Sequence, residues 1–463
     1  MPGEFRSINP ATEEVVASYP LHDADEIGRR VELVAKGFAH WSTTSSEQRA
    51  AVLTALAEGL RRRKAELARL MAVEMGKPVV AGEGEIEKCA LACEYYANNL
   101  ARFLVPQFIP TDATRSYVRL DPLGPILAIM PWNFPFWQVF RAGVPAIAAG
   151  NTVVLKHAPN VCGCASAIDE IFAESGGPDG LLVHVRCENA DAERLVEHPL
   201  IRGVTLTGSE RAGRAVAAAA GRALKKCVLE LGGSDPFIVL PDADIPAVAQ
   251  AAAAARCVNS GQSCIAAKRF IVDRSIVARF TEALAEAMRE MKAGDPLDRG
   301  TCLGPLARLD LLENLHGQVQ RTLAAGARLV AGGDRLARRG YYYDVTVLAG
   351  VRPGMAAFEE ETFGPVAGVS ASDGPDDSVA LANQSGFGLG ASIWSGNTQS
   401  AGELAARLDC GSVFINGPVK SDPRLPFGGV KNSGFGRELS EHGLREFANV
   451  KTCWIQELRA NVR

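Results

Sequence analysis

The sequence predicts an α/β protein made of two doubly wound domains, and three observations support this prediction. The chain has 463 residues, enough for two large domains or about three ordinary ones. From about residue 116 onward, short β-rich segments alternate with helical segments, as in a parallel sheet covered by helices. A second alternating series follows residue 236. We therefore expect two α/β units that face each other across a cleft.

The elements are predicted in order along the chain. The first hundred residues are predicted to be helical, with Thr44 and Glu47 as a capping box before an apolar stripe that includes Leu53, Leu56 and Leu60. The strands of the first series are "YVRL", "ILAIM", "NTVVLK", "LLVHV", "GVTLTG", "KKCVLEL" and "PFIVL". Between them, helices are predicted through "WQVFRAGVPAIAAG", from Cys162, from Asn189 and in "ERAGRAVAAAAG". The second series contains a helix that ends at Cys257, "KRFIVD", the helix "VARFTEALAEAMREM" and strands near residues 345, 367, 392 and 413.

Composition excludes several classes of function. A net charge of -4 gives no electrostatic footprint for nucleic acid or for an anionic membrane. No segment reaches the ~18 apolar residues of a membrane span, and the start of the chain lacks the apolar core of a signal peptide. Eleven cysteines without a secretion signal indicate reduced thiols and a cytoplasmic location. The close pairs Cys89/Cys93 and Cys162/Cys164 have no nearby histidine, so no metal site is expected.

Two segments have the character of an anion site at the carboxyl ends of strands. "GVTLTGSERAG" places Gly208, Ser209 and Gly213 where a strand leads into a helix, whose N-terminus favours a phosphate. "NTVVLKHAPN" places Lys156 at the end of another strand, where ligands of open α/β sheets bind. An ordinary strand-end charge explains a single lysine equally well. Neither segment alone identifies a dinucleotide site.

Three residues are candidates for catalysis. Glu230 in "VLELGGSDP" follows an apolar strand, where desolvation raises the pKa of a carboxyl toward that of a general base. Asn133 in "MPWNFP" lies between two prolines, and a rigid side-chain amide can donate to an oxyanion. Cys264 ends the segment "NSGQSC", although an unpaired cysteine is usually a small buried hydrophobic residue. A capped strand end and a turn asparagine are the alternatives for Glu230 and Asn133.

The order of these motifs resembles the aldehyde dehydrogenase superfamily over essentially the whole chain. The resemblance is carried by "PWNFP", "LTGSERAG", "ELGGSDP", "GQSC", "EEETFGPV" and "FGGVKNSGFGRE". It implies that Cys264 is the nucleophile, Glu230 the general base and Asn133 the oxyanion-stabilising residue. The implied reaction forms a thiohemiacetal on Cys264, transfers a hydride to a nicotinamide, and hydrolyses the resulting thioester with water activated by Glu230.

The resemblance also implies a dinucleotide site and a cofactor. The residues expected to contact the dinucleotide are Trp132, Asn133, Lys156, His157, Ala158, Pro159, Gly208, Ser209, Gly213, Leu231, Glu361 and Phe363. Many relatives that use NAD carry a glutamate three residues after the lysine, where it binds the adenosine ribose, but this chain has Pro159. Without that carboxylate a 2′-phosphate is not repelled, so NADP or NAD is expected as the cofactor.

Within the superfamily, the strings "IMPWNFPFWQVFRAG" and "VFINGPVKSDPRLPFGG" most resemble bacterial enzymes that oxidise succinate semialdehyde. In that group the residues matching Arg141 and Ser421 bind the substrate carboxylate, whereas a second arginine of some members is Val258 here. Arg141 could instead pair with a protein carboxylate. Glutarate semialdehyde or an aliphatic aldehyde are alternative substrates, and a non-catalytic dinucleotide-binding protein is the alternative from another class.

The resemblance further implies an architecture and an assembly. Residues 1–105 and 123–232 are predicted to form the dinucleotide-binding domain, and residues 233–447 the catalytic domain. Residues 106–122 and 448–463 are predicted to form a small β arm for oligomerisation. A homodimer or homotetramer is expected, with a small-molecule aldehyde as the substrate.

Overall fold

The computed structural model describes residues 3–457. Its α-helices are α1 (Ala24–Trp41), α2 (Ser46–Arg62), α3 (Lys64–Met75), α4 (Val79–Phe103), α5 (Trp137–Ala148), α6 (Cys162–Ala173), α7 (Asn189–Glu197), α8 (Glu210–Arg222), α9 (Ile245–Cys257), α10 (Val277–Arg289), α11 (Leu309–Ala324), α12 (Ala356–Glu359), α13 (Pro375–Asn383), α14 (Thr398–Ala405) and α15 (Ser440–Glu446). Its strands are β1 (Glu4–Ile8), β2 (Val15–Pro20), β3 (Gln107–Phe108), β4 (Arg115–Pro122), β5 (Pro125–Met130), β6 (Thr152–His157), β7 (Leu182–His184), β8 (Gly203–Thr207), β9 (Lys226–Glu230), β10 (Pro236–Val239), β11 (Arg269–Asp273), β12 (Arg328–Ala331), β13 (Thr346–Ala349), β14 (Val366–Ser372), β15 (Phe387–Gly388), β16 (Gly390–Trp394), β17 (Ser412–Ile415), β18 (Val430–Lys431), β19 (Gly434–Phe435) and β20 (Ala448–Ile455). Within this part of the chain, none of the helices has the length and apolar character needed to cross a bilayer.

Two predictions for the first hundred residues are wrong in detail. Strands β1 and β2 pair as an antiparallel hairpin, whereas the sequence predicts helix throughout this region. A hydrogen bond attaches the hairpin to α3, since the hydroxyl of Ser7 donates to the carboxylate of Glu74 at 2.5 Å. The capping box of α2 is formed by Ser45 and Gln48, one residue after the predicted pair, because the hydroxyl of Thr44 instead donates to a backbone carbonyl.

The first large sheet has the strand order β19-β9-β8-β5-β6-β7. Strands β5 to β9 run parallel, and only β19 joins antiparallel, where Gly434 lies opposite Glu230. The carboxyl ends of parallel strands meet at one edge of a sheet. The segments that follow β5, β6, β8 and β9 therefore meet at this edge, and these are the segments in which the sequence predicts the site residues.

The second large sheet has the strand order β12-β13-β14-β11-β10-β16-β17 and is parallel except for β12. Each of the predicted strands of the second series lies in it. The segment "PFIVL", predicted as the last strand of the first series, also lies in this sheet as β10, because it pairs with β11 and β16 rather than with β9. The two sheets with helices between their strands confirm the predicted α/β class. A later segment of the chain also contributes to the first sheet: β19 pairs with β9, and α15 packs against α5. The domain boundaries remain predictions.

The predicted β arm is a three-stranded sheet with the order β20-β4-β3. Strand β20 pairs antiparallel with the whole length of β4. The arm exposes large apolar side chains, including those of Phe108, Val450 and Trp454. Residues 458–463 of the predicted arm lie outside the described residues. The assembly remains a prediction.

The start of helix α5 depends on a buried ion pair. One carboxylate oxygen of Glu85 on α4 accepts the backbone N–H groups of Phe136 and Trp137, both at 2.9 Å. These donors have no partner within the helix, so Glu85 acts as its cap from 51 residues away. The other oxygen of Glu85 pairs with the ammonium of Lys77, and both side chains are almost fully buried. This pair fixes the helix that carries Gln138 and Arg141 into the site.

We expect Glu85→Ala to destabilise the protein by about 3–5 kcal/mol, because it leaves the Lys77 ammonium buried without a counter-charge. The double variant Lys77→Met/Glu85→Gln should recover most of this loss, since the glutamine carbonyl can still accept the two N–H groups. The measurement is chemical or thermal unfolding of the three proteins. A Glu85→Ala variant as stable as the wild type would contradict this account of α5.

Candidate active site

Cys264 is carried by a tightly folded loop after α9. Asn259 and Ser260 adopt left-handed backbone conformations, with φ of 52° and 57°. Gly261 also has a positive φ, and a Cβ atom there would lie 2.3 Å from the backbone of Gly364, so only glycine fits. The ammonium of Lys268 then donates to the backbone carbonyls of residues 263, 264 and 266 at 2.8 to 3.2 Å. The loop is therefore held by charge-assisted hydrogen bonds from inside the protein.

Cys264 lies between two cavities. One cavity has a volume of about 300 Å³ and is lined by the predicted residues Arg141 and Ser421; we call it the aldehyde cavity after the ligand that the sequence predicts there. The other has a volume of about 450 Å³ and is lined by Trp132, Asn133, Gly208, Ser209, Leu231, Glu361 and Phe363; we call it the nicotinamide cavity after the cofactor that the sequence predicts there. Cys264 and Gln138 line both cavities. Among the described residues, none of the other ten cysteines lines either cavity.

The environment of the Cys264 thiol favours its neutral form. Burial raises the pKa of the thiol to about 12, while the cations Arg141 and Lys268 act in the opposite direction. The thiolate is the nucleophilic form of cysteine. Chemistry at Cys264 therefore requires that the thiol proton be transferred as the nucleophile attacks, or that a ligand change this environment.

Asn133 is positioned beside the loop of Cys264. Its side-chain nitrogen donates to the carbonyl of Gln262 at 3.1 Å, and its own backbone carbonyl accepts from the side chain of Asn259 at 2.7 Å. An amide nitrogen carries two hydrogens, so one N–H of Asn133 remains for an oxygen in the nicotinamide cavity that it lines. The sequence-predicted oxyanion donor is thus placed next to the predicted nucleophile.

Glu230 is buried in a network of charges around Arg141. Neither carboxylate oxygen of Glu230 has a hydrogen-bond partner among the described residues, and burial raises the pKa of this carboxyl. The guanidinium of Arg141 lies 4.0 Å from Glu230 and pairs directly with the buried carboxylate of Glu438. A carboxyl with a raised pKa can bind a proton near neutral pH, as a general base must.

The sequence left open whether Arg141 binds a substrate carboxylate or pairs with a protein carboxylate, and the structure shows that it pairs with Glu438. Besides its ion pair with Glu438, its Nη2 donates to the hydroxyl of Thr207 at 3.0 Å. The other terminal nitrogen, Nη1, makes no hydrogen bond with the described residues. Sequence reasoning did not single out Glu438, although the motif "FGGVKNSGFGRE" ends at this residue. The pairing across the sheet could not be read from the motif.

A third cavity of about 350 Å³ lies between α7 and α8 and is lined by Asn189, Glu193, Leu206, Arg211 and Val216, among others. Lys156 reaches it through a hydrogen bond of 3.1 Å from its ammonium to the side chain of Asn189. The N-terminus of α8 follows Ser209, which caps that helix and lines the nicotinamide cavity. At Gly213 a Cβ atom would lie 2.6 Å from the side chain of Leu231, so glycine lets α8 pack closely against that residue.

The remaining residues predicted to contact the dinucleotide differ in whether the protein already uses their side chains. A Cβ atom at Gly232 would lie 2.8 Å from Oε2 of Glu361, and Oε1 of the same carboxylate accepts the N–H of Gly233 at 3.0 Å. The side chain of His157 is used inside the protein, with Nε2 against the carbonyl of Pro135 and Nδ1 accepting from Ala158. Burial lowers the pKa of His157 to about 4, so Nε2 carries the proton and donates. Pro159 begins a short 3₁₀ turn after β6.

The fold and the site define an α/β protein with a thiol placed between two cavities at the carboxyl edge of a parallel sheet. The model of the aldehyde dehydrogenase family matches residues 2–453, and the chain belongs to that family. This confirms the resemblance seen in the sequence. Family membership makes the protein an oxidoreductase of aldehydes.

Named relatives and solved structures agree with this assignment. The chain is 49% identical over 448 residues to succinate semialdehyde dehydrogenase Sad of Escherichia coli (strain K12), named for NAD(P)+, with 97% of each chain covered. It is 46% identical over 449 residues to a probable NADP+-dependent succinate-semialdehyde dehydrogenase of Synechocystis, covering 97% of this chain and 99% of that one. The crystal structure of succinic semialdehyde dehydrogenase from Streptococcus pyogenes in complex with NADP+ matches with a TM-score of 0.95 and 35% identity, covering 98% of this chain and 100% of that one.

Proposed function

We propose that this protein oxidises succinate semialdehyde to succinate with reduction of NADP or NAD. The observation that carries the proposal is the position of Cys264, which lines both the aldehyde cavity and the nicotinamide cavity. A carbon bound to its sulfur is accessible from both sides. The choice of substrate is supported by relatives at 46–49% identity that are named for this aldehyde.

The residues of the chain suit an oxidation through a thioester. The thiol of Cys264 loses its proton to solvent in the cavity as Sγ adds to the aldehyde carbon. The resulting oxyanion accepts hydrogen bonds from the free N–H of Asn133 and the backbone N–H of Cys264. A bound nicotinamide dinucleotide supplies the hydride acceptor. Glu230 then takes a proton from the water that adds to the thioester, and the Cys264 thiolate leaves as succinate forms.

The cavities fit a dinucleotide on the other side of the sulfur. The nicotinamide cavity and the cavity between α7 and α8 lie on either side of the segment from β8 to α8, where Leu206 lines one and Ser209 the other. The unoccupied acceptor position of Asn133 Oδ1 and the space left by Gly232 suit a ligand with polar groups. Near the other end, Lys156 supplies a positive charge and Pro159 supplies no negative one, so a 2′-phosphate is accepted.

On the aldehyde side, Arg141 and Ser421 line the cavity. Arg141 has one role inside the protein, since its ion pair with Glu438 keeps two buried charges neutral. Its Nη1 is left to donate to a substrate oxygen. Arg141 therefore contributes a hydrogen bond to the substrate, while most of its charge is already compensated.

We expect Glu230→Gln to give a burst of about one reduced cofactor per active site, followed by almost no turnover. The thioester still forms, but the base that activates water is missing. The measurement is stopped-flow absorbance of the reduced nicotinamide after mixing with succinate semialdehyde and NADP. Cys264→Ala should abolish even the burst, whereas Glu290→Gln, an exposed control, should turn over like the wild type.

Steady turnover by Glu230→Gln would remove this residue from the mechanism. Failure of the wild-type protein to reduce either cofactor with any of a panel of aldehydes would instead favour the non-catalytic alternative. Higher kcat/KM with glutarate semialdehyde or butanal than with succinate semialdehyde would reassign the substrate.

Replacing Pro159 with glutamate should lower kcat/KM for NADP relative to NAD. The new carboxylate repels the 2′-phosphate and accepts a hydrogen bond from the free ribose hydroxyl of NAD. The observable is the ratio of the two kcat/KM values, because losing the proline alters the turn in both cases. Pro159→Gln is the matched neutral control. An equal change of the ratio in both variants would show that the added carboxylate does not interact with the adenosine ribose of the cofactor.

A further inference from the structure

A lysine that the sequence did not single out lies in the wall of the aldehyde cavity. Lys88 belongs to α4 and shares the cavity with Cys264, Trp137 and Ser421. Its ammonium nitrogen lies 2.6 Å from the hydroxyl oxygen of Ser421 and 4.1 Å from the centre of the Trp137 ring. These contacts hold the charged end of a long side chain in one place, beside the space where an aldehyde would bind.

No carboxylate among the described residues forms an ion pair with Lys88. The carboxylates whose charges act on Lys88 are those of Glu85 and Asp422, and each has another partner. Glu85 is paired with Lys77, and Asp422 is paired with Arg424 at 2.6 Å. Burial lowers the pKa of Lys88 to about 8, and the nearby charge of Arg141 acts in the same direction. The cavity wall thus holds a cation whose counter-charge is missing.

The hydroxyl of Ser421 also lacks a partner that an anion would supply. Its oxygen accepts from the ammonium of Lys88 at 2.6 Å and from the indole N–H of Trp137 at 3.1 Å. A hydroxyl oxygen has two lone pairs and one hydrogen, so Ser421 is left with its own O–H to donate. It donates to no acceptor among the described residues. Two donors, an ammonium and a hydroxyl, are therefore available side by side for an anion.

Arg141 differs from Lys88 in its charge balance. The guanidinium of Arg141 pairs with the buried carboxylate of Glu438 and lies near Glu230. A substrate carboxylate next to Arg141 alone would meet a cation that is already neutralised. Beyond these groups, the α9 side of the cavity is apolar, with Ala254, Ala255 and Val258.

We propose that Lys88, together with the hydroxyl of Ser421, binds the carboxylate at the far end of the substrate and so selects semialdehydes of dicarboxylic acids. This inference rests on the proposed oxidation of succinate semialdehyde and adds the residue that supplies the uncompensated charge. Lys88 touches the non-reacting end of the substrate and takes no part in the transfer of hydride or proton.

The test compares Lys88→Met with Lys36→Met. Methionine keeps most of the aliphatic length and removes the charge, and Lys36 is an exposed lysine of α1 that does not line the cavity. We expect Lys88→Met to lower the ratio of kcat/KM for succinate semialdehyde to that for butanal by about tenfold to a hundredfold. The loss should lie mainly in KM. Lys36→Met should leave the ratio unchanged, and Lys88→Arg should restore part of it.

A second measurement does not depend on turnover. Succinate, the product, should bind to the wild-type enzyme in isothermal titration calorimetry and bind at least tenfold more weakly to Lys88→Met. An unchanged ratio, or equal losses with both aldehydes together with a lower Tm, would overturn the proposal and leave the proposed reaction standing. A wild-type enzyme that oxidises butanal but not succinate semialdehyde would instead overturn the proposed function.

Discussion

The proposed reaction depends on one constraint, which is that a single sulfur must face an aldehyde on one side and a hydride acceptor on the other. The loop of Cys264 meets this constraint because hydrogen bonds from the protein interior fix its backbone. Lys268 donates to three of its carbonyls and lies 3.7 Å from the carboxylate of Glu361 in the wall of the nicotinamide cavity. The same buried ammonium therefore contacts both the loop of the proposed nucleophile and the wall of the proposed cofactor site.

Buried charges recur around this sulfur, and their pairing explains what each can do. Lys77 pairs with Glu85 to cap α5, and Arg141 pairs with Glu438 beside Glu230. Taking an ion out of water costs several kcal/mol unless a partner compensates it. These paired ions act on structure and on the pKa of their neighbours. Lys88 is the exception in the aldehyde cavity, because its partners are a hydroxyl and an aromatic ring, and the missing anion is the chemical feature that a substrate carboxylate supplies.

Much of this fold was predictable because its signals are local. A parallel strand such as β6 is a short apolar run, and the residues at its end lie at a sheet edge whatever the partners of the strand are. Cys264, Glu230 and Asn133 were singled out as candidates from local motifs and their order. The pairs that position them were not, since Glu85 lies 51 residues from the helix it caps and Lys88 lies 333 residues from Ser421. Lys88 was missed because the sequence does not distinguish it from the other charged residues of α4. The hairpin β1–β2 was missed because the carboxylate of Glu74 that accepts from Ser7 lies 67 residues away.

The most direct measurement is the identity of the covalent intermediate. The enzyme would be mixed with succinate semialdehyde and NADP, quenched with acid during the first turnover, digested, and analysed by peptide mass spectrometry. We expect a succinyl thioester on the peptide that contains Cys264, and it should form only when the oxidised cofactor is present. An acyl group on another cysteine, or active turnover with no acyl group on Cys264, would contradict the proposed mechanism.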